Sequence, residues 1–208
     1  MGRDDWYRNT SWSDEIREAF LLRLQGARSS RDQYLVIQAV TLVETHPEAA
    51  LELVGLYFNS RTQSAHDLRA HDVRARAKLL LGDTGGALRA FKEVLSMERA
   101  SPGFSTNAFV EYPLLVATER VRSEFTEAVS VLNDRAADCA FPVQRFMWHS
   151  AYALILMETA AIDEAKKHAR EALKAAGAQA AGFRYHQDLG LVGPEHARTV
   201  ELLREIST

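Results

Sequence analysis

Residues 80–95 of the chain read LLGDTGGALRAFKEVL. The central segment, residues 82–86, contains three glycines, which supply the backbone conformations that a tight reversal needs. The apolar residues on both sides recur with the 3.6-residue period of an α-helix. The stretch therefore predicts an antiparallel helical hairpin that pairs Leu68–Leu81 with Ala87–Met97.

Similar hairpins are predicted along the chain by the spacing of four alanines. Ala50, Ala87, Ala128 and Ala165 each lie near the start of an amphipathic segment, at intervals of 87−50 = 37, 128−87 = 41 and 165−128 = 37 residues. Self-similarity at such a period is typical of stacked helical hairpins. Hairpins of this kind usually present a binding surface.

Local start signals place the other helices. Ser13 is a predicted N-cap, and Ser30-Arg31-Asp32-Gln33 has the pattern of a capping box. Proline is favoured at the first position of a helix, so further helices are predicted to begin at Pro47, Pro113, Pro142 and Pro194. The sequence thus predicts an all-α fold of about ten helices. The helix that begins at Pro142 is apolar on nearly every side, which indicates burial.

We expect a single domain over residues 1–208. It would contain an aromatic N-terminal cap (residues 1–12), helical hairpins (13–176), an ordered connection (177–193) and a C-terminal helix (194–208).

The composition limits the possible partners. Hydrophobic residues make up 47% of the 208, and the formal net charge is −3, which gives no general attraction to nucleic acid or anionic lipid. The longest apolar run, Ala151–Met157, is too short to cross a membrane. We therefore expect neither a nucleic-acid partner nor a membrane.

The cellular setting is predicted from a few residue types. Cys139 is the one cysteine, so no internal disulfide is possible. The first residues lack the apolar stretch of a signal peptide, and we expect a cytoplasmic location. Arginine makes up 20 of the 25 basic residues, and alanine is abundant, which suggests a bacterial origin.

The hairpins resemble tetratricopeptide repeats, a family of 34-residue helix–turn–helix units. The residues on the family's turn, small and aromatic positions are Gly82, Asp83, Ala87, Phe91 and Val94 in one hairpin, and Ala153, Ile162, Asp163, Glu164, Ala165, Ala169 and Ala172 in the last. The resemblance covers roughly residues 31–176, although the intervals of 37 and 41 exceed the family's length. It implies a right-handed superhelix whose first helices line a concave groove.

The same resemblance implies which residues face that groove. They are Arg69, Asp72, Arg76 and Leu79, then Val110, Ala117 and Arg120, then Met147, Ser150, Leu154 and Met157. Arg69, Asp72 and Arg76 share one helix face at i, i+3 and i+7, where they could bind a carboxylate or phosphate of a peptide. The alternative is a solvated face whose charges pair with one another.

Aromatic residues near both ends allow two interpretations each. Trp6, Tyr7 and Trp12 could anchor a partner, or they could cover the open edge of the first hairpin. The second group comprises Phe183, Arg184, Tyr185 and His186. It could plug the groove, line a ligand pocket with Trp148 and His149, or simply pack within the domain.

The other histidines favour structural roles. His66 and His71 are five residues apart on one predicted helix, too far around its axis to share a metal. Glu164 and His168 form an i, i+4 pair on a face that the pattern predicts to be exposed, where they would stabilise the helix. No metal site is predicted.

The sequence contains no nucleophile elbow, phosphate loop, zincin motif or dinucleotide fingerprint. We therefore expect a non-catalytic module, without a cofactor, that binds a partner protein or peptide. The alternative is a ligand-sensing or enzymatic helical domain with a pocket near Trp148, His149, Tyr185 and His186. Self-association is a third possibility.

Overall fold

The computed structural model describes residues 5–27, 29–101, 103, 105–181 and 188–208. Within these ranges the chain forms ten α-helices, three short 3₁₀ helices and no β-strand, which confirms the all-α prediction. The α-helices are α1 (Asp14–Gly26), α2 (Arg31–Leu42), α3 (Pro47–Ser60), α4 (Asp67–Leu80), α5 (Thr84–Ala100), α6 (Ala108–Thr118), α7 (Phe125–Asp134), α8 (Pro142–Glu158), α9 (Ile162–Ala176) and α10 (Ala197–Ser207).

Most predicted helix starts are confirmed. Pro47 and Pro142 occupy the first positions of α3 and α8, and Pro194 begins a 3₁₀ turn that leads into α10. Ser13 caps α1 by accepting a hydrogen bond from the Ile16 amide at 3.4 Å. Ser30 precedes α2, but its side chain makes no capping hydrogen bond, so the predicted capping box is wrong.

Two predicted boundaries are also wrong. Pro113 lies inside α6, which begins five residues earlier at Ala108. The proline removes one backbone hydrogen bond, and burial of the apolar side chains of Phe109, Val110 and Tyr112 offsets that loss. Gly85 and Gly86 belong to α5, because the Asp83 side chain accepts from the Gly86 amide at 2.8 Å and starts the helix at Thr84.

The chain divides into two compact units, the first ending at Thr106 and the second beginning at Asn107. In the first unit, helices α2 to α5 pack in chain order, and α2 also contacts α4. Ala50, Ala70, Ala77 and Ala87 are fully buried there, and their small side chains allow neighbouring helices to approach closely. The prediction of one continuous array across both units stays a prediction.

The N-terminal aromatic residues cover the core of the first unit. Trp6, Tyr7 and Trp12 pack against its buried cluster, and the Tyr7 ring stacks on Tyr34 with centroids 4.4 Å apart. The fully buried Gln38 holds this segment through Asn9: its Nε2 donates to the Asn9 carbonyl at 2.8 Å, and its Oε1 accepts from the Asn9 amide at 2.9 Å. This placement favours the cap interpretation over an exposed anchor.

In the second unit, α8 is the central helix. It packs against α9 and α6, and α10 lies against α9 and also contacts α8. Phe146 on α8 is fully buried, and its ring lies 5.1 Å from the ring of His196. The prediction that α8 is buried on several sides is therefore confirmed.

The chain returns to the start of α8 through Gly190. The Gly190 carbonyl accepts a hydrogen bond from the Val143 amide at 2.8 Å, and its φ is +72°. A Cβ at this position would lie 2.6 Å from Cδ1 of Phe141, so only glycine fits. Before the undescribed residues 182–187, Ala181 is also buried.

Three helix ends share one turn geometry. Gly82, Arg120 and Ala160 have positive φ values of 77°, 53° and 61°. Each turn has the bond pattern of a Schellman motif, whose longer bonds are Asp83 N to Lys78 O (2.8 Å), Val121 N to Val116 O (3.0 Å) and Ala161 N to Leu156 O (3.0 Å). The intervals are 120−82 = 38 and 160−120 = 40 residues, so the turns repeat with nearly the period of the alanines.

Candidate functional site

The predicted charged face on α4 is partly paired within the first unit. Arg76 forms an ion pair with Glu44, just beyond the end of α2. Asp72 is buried, and this desolvation raises the pKa of its carboxyl, while Arg76 and Arg69 act in the opposite direction. For Arg76, the structure therefore favours a charge paired within the protein over a free charge that binds a peptide. Asp72 is buried and does not form the exposed groove contact that the tetratricopeptide resemblance implies.

Four large apolar side chains of α2 and the end of α4 are exposed. Leu79, Leu80 and Leu81 at the end of α4 are 38%, 50% and 41% exposed, and Val40 on α2 is 37% exposed. Val40 lies four residues before Glu44 in the chain, and Leu80 follows Arg76 by one helical turn, so the ion pair links the two segments that carry these side chains. We call these four residues the leucine face. The run of three leucines at a helix end was the available sequence signal. The tetratricopeptide resemblance, however, marks only Leu79 as a groove residue.

Most of the residues predicted to face a groove in the second unit are buried. Val110, Ala117, Met147 and Ser150 are buried, and the Ser150 hydroxyl donates to the Phe146 carbonyl at 2.6 Å. The prediction assumed that α6 and α8 each have one solvent-facing side. The apolar residues of α6 are all buried, whereas on α8 Leu154 is half-buried and Met157 is exposed. The four buried residues are therefore not available to contact a partner at the surface.

Arg120 is also displaced from its predicted position. Because α6 ends at Thr118, Arg120 lies in the turn that follows the helix rather than on a groove-facing turn of it. Its Nε lies 3.3 Å from Oε1 of Glu158, which also pairs with Arg122 at 2.6 Å.

Two of the residues proposed for a ligand pocket lie together. Trp148 and His149 on α8 meet His168 of α9, with ring centroids 5.6 Å and 5.1 Å from it. Phe183, Arg184, Tyr185 and His186 fall outside the described residues, so their predicted part in a plug or a pocket stays a prediction.

The central contact of this group joins two imidazoles. Nδ1 of His149 and Nδ1 of His168 are 3.0 Å apart, a hydrogen-bond distance at which one ring donates and the other accepts. Desolvation lowers the pKa of His149 to about 4 and also lowers the pKa of His168. Both rings are therefore neutral near pH 7.

Two aromatic side chains hold the pair in place. The Tyr152 ring stacks on His168 with centroids 4.7 Å apart, and its hydroxyl donates to Oδ1 of Asn133 at 2.5 Å. The indole of Trp148 donates to the Leu132 carbonyl at 2.9 Å, and its ring lies edge-on to His149. We call Trp148, His149, Tyr152 and His168 the histidine cluster.

The prediction for Glu164 and His168 is correct only in part. The Glu164 carboxylate acts to raise the pKa of His168, as expected of an i, i+4 pair, but His168 is half-buried in the histidine cluster, and Glu164 also pairs with Lys167 at 2.5 Å. Sequence reasoning placed His168 on an exposed face and did not select Tyr152, because their contact depends on how α9 lies against α8. The spacing of Trp148, His149 and Tyr152 on one side of α8 was the available signal.

The histidine cluster borders an open cleft of about 240 Å³. The cleft is lined by Pro142, Arg145, His149, Glu171, Lys174, Ala175 and Ala178. It offers two cations, one carboxylate and one imidazole, which suits a small polar or charged ligand. Within the described ranges no three histidine, cysteine or carboxylate side chains converge as metal ligands.

The remaining histidines of α4 have structural surroundings. The His71 ring packs against Phe58 with centroids 4.7 Å apart, and burial lowers its pKa. His66 precedes the first residue of the helix, Asp67, whose carboxylate accepts from the Tyr57 hydroxyl at 2.7 Å. This placement agrees with the structural interpretation of the two histidines.

Comparison with known proteins adds no relative: no family model, no curated protein and no solved structure matches this chain. In the part of the chain that the structure describes, no helix combines the length and apolar character that crossing a membrane requires.

Cys139 is half-buried, and desolvation raises its pKa to about 11.

Proposed function

We propose that the protein is a non-catalytic interaction module that binds a partner protein through the leucine face of its first unit. The observation that carries this proposal is the run Leu79–Leu81, three consecutive leucines each more than one-third exposed. Single exposed apolar residues are ordinary, whereas several exposed apolar residues grouped at one helix end are a candidate binding site.

The surroundings of the leucine face have the character of an interface. The apolar residues adjoin the Arg76–Glu44 ion pair, and Lys78 pairs with Asp83 at 2.6 Å at the end of α4. An apolar centre with a polar rim is the usual anatomy of a protein–protein contact. The face spans α2 and α4, so the partner element that fits it is an amphipathic helix.

A tetratricopeptide-like superhelix is part of the same proposal. The Schellman turns at Gly82, Arg120 and Ala160 support a hairpin repeat, since they recur at 38 and 40 residues. The contact between α2 and α4, the first helices of consecutive hairpins, agrees with the packing of that family.

Site-specific crosslinking tests the proposal. A photoreactive amino acid at Leu80 should crosslink one stoichiometric partner in the native host, whereas the same group at Leu22 should not. Leu22 is a matched control, because it is 70% exposed but lies on α1, a helix that contributes no residue to the leucine face.

Affinity for the captured partner gives the second readout. Leu80→Asp should weaken binding tenfold or more, as expected of a hot-spot residue at roughly 2 kcal/mol, and Leu22→Asp should leave it unchanged. Equal crosslinking from both positions, or equal affinity of both variants, would overturn the assignment. A crosslink to a second copy of the chain would show self-association instead.

One observation favours a second candidate, a ligand-sensing function of the second unit. The cleft beside His149 places Arg145, Lys174 and Glu171 around about 240 Å³ of space. A thermal-shift screen with small carboxylates, phosphates and amino acids tests it, because a ligand that binds only the folded state raises the melting temperature. Stabilisation that Arg145→Gln abolishes would support this candidate, and an unresponsive melting temperature would argue against it.

A further inference from the structure

We propose that His149 and His168 form an open two-histidine site for a divalent transition metal ion, with Cu²⁺ or Ni²⁺ as the preferred ion. The proposal concerns the second unit and is independent of partner binding at the leucine face. It starts from the two Nδ1 atoms, which are 3.0 Å apart on neighbouring helices. Neutral imidazole nitrogens are the commonest protein ligands of such ions.

The separation of the two nitrogens indicates the coordination geometry. A metal ion about 2.0–2.1 Å from both nitrogens would subtend an angle of about 91–97° between them. That angle is close to the 90° of square-planar or octahedral coordination and smaller than the ~109° of a tetrahedral site. Cu²⁺ and Ni²⁺ favour the former geometries, and Zn²⁺ favours the latter.

The contact between the two rings already presents a nitrogen lone pair. In the Nδ1–Nδ1 hydrogen bond one ring donates and the other accepts, so one Nδ1 is unprotonated. One ring now donates its Nδ1 proton to the other, and metal binding replaces that hydrogen bond. The donor ring then carries its proton on Nε2, so no net proton is released, and each ring turns to direct its lone pair at the ion.

The cluster keeps the two rings close together, and the cleft gives access to them. Tyr152 stacks on His168, and Trp148 lies against both imidazoles, so only a turn of each ring, and no movement of the helices, is needed to direct both nitrogens at an ion. His149 lines the cleft, where the Glu171 carboxylate pairs with Lys174 at 3.6 Å and also favours positive charge at His149. Arg145 and Lys174 line the same cleft, so the remaining coordination positions suit water or a small anion.

Titration of the untagged protein with Cu²⁺ or Ni²⁺ tests the site. We expect one saturable equivalent and quenching of the Trp148 contribution to fluorescence, because that ring lies 4.8 Å from the ring of His149. The electron paramagnetic resonance spectrum of the Cu²⁺ form should show two imidazole nitrogens in the equatorial plane. Zn²⁺ should compete with Cu²⁺ only weakly.

Three variants separate the site from other histidines. His149→Asn and His168→Asn each keep an amide that can hydrogen-bond, and each should weaken binding about tenfold or more. His196→Asn is the matched control, since His196 is also half-buried in the second unit but lies outside the cluster.

Unchanged affinity in both cluster variants, or an equal loss in the control, would overturn the proposal. So would saturation without quenching of Trp148, or a wild-type spectrum with no imidazole coordination. The last two measurements use the wild-type chain, so they remain decisive if a variant fails to fold.

Discussion

The two units use similar helical hairpins but differ in where apolar residues remain exposed. In the first unit, an N-terminal aromatic segment covers the core at one edge, while the leucine face stays in contact with solvent. In the second unit, the apolar residues of α6 and most of those of α8 are buried or half-buried, and the exposed apolar residues Met157, Ile162 and Leu189 lie in three separate segments. Two half-buried histidines form a hydrogen-bonded pair there. The same hairpin pattern therefore leaves a run of leucines exposed in one unit and forms a half-buried polar contact in the other.

The largest expected effect tests how firmly the second unit depends on α8. Phe146→Ala should lower the free energy of unfolding by about 3–5 kcal/mol, because it removes a fully buried aromatic side chain and leaves a cavity. Urea unfolding followed by circular dichroism measures this change. Met157→Ala on the same helix is the control: Met157 is 36% exposed, so its loss should be clearly smaller, about 1 kcal/mol.

The next prediction concerns the N-terminal cap of the first unit. Gln38→Ala should cost about 2 kcal/mol, because it removes both hydrogen bonds that hold the Asn9 backbone and leaves a buried gap. Hydrogen exchange should then show faster exchange in residues 5–12. A matched change at Gln33, which is exposed on the same helix, should have little effect. Equal protection in Gln38→Ala and the wild type would show that the aromatic contacts alone hold the segment.

A pH series tests the contribution of His149 to stability. The pKa of His149 is about 4 in the folded protein, against an ordinary value of 6.5. As the pH falls from 6.5 toward 4, the unfolded chain binds a proton that the folded chain does not, so stability decreases.

Because His149 is only half-buried, we expect a loss of about 1–2 kcal/mol, measured by urea unfolding at several pH values. His149→Asn should reduce this dependence between pH 6.5 and pH 4 and leave the part that comes from His71, His168 and His196, whose pKa values burial also lowers. An identical slope in the variant would show that other groups cause it.

The smallest effect tests the repeated turns. Ala160 has a φ of +61°, a conformation that is strained for alanine and free for glycine. Ala160→Gly should therefore raise stability by about 1 kcal/mol, and Gly82→Ala, at the matching position, should lower it by a similar amount. Thermal melts of the two variants measure both changes. If both substitutions destabilise, backbone strain does not govern these turns.

Much of the fold is predictable because its signals are local. Prolines mark the starts of α3 and α8, and the spaced alanines mark the close helix contacts. The position of Pro113 inside α6 is not a local property, because burial of neighbouring side chains outweighs the proline. Glycine predicts one of the three repeated turns, but Arg120 and Ala160 adopt the same conformation without glycine.

The candidate sites are less predictable than the fold. The tetratricopeptide resemblance implies that Asp72, Met147 and Ser150 face a groove, but the structure buries all three. Their burial depends on which helices pack over them, and a local sequence pattern does not determine that packing. The run Leu79–Leu81 is visible in the sequence, yet only the packing of α4 shows that all three leucines remain exposed. The contact between His149 and His168 depends on the side-by-side alignment of α8 and α9, which no local pattern specifies.

The anchoring of Gly190 has a consequence for the order in which α8 can become complete. Val143 lies in the first turn of α8, where the helix offers its amide no partner, and the Gly190 carbonyl accepts that hydrogen bond. Gly190 follows Val143 by 190−143 = 47 residues, so this bond forms only after the chain has folded back to α8. Exchange of the Val143 amide therefore reports whether the residues around Gly190 are docked.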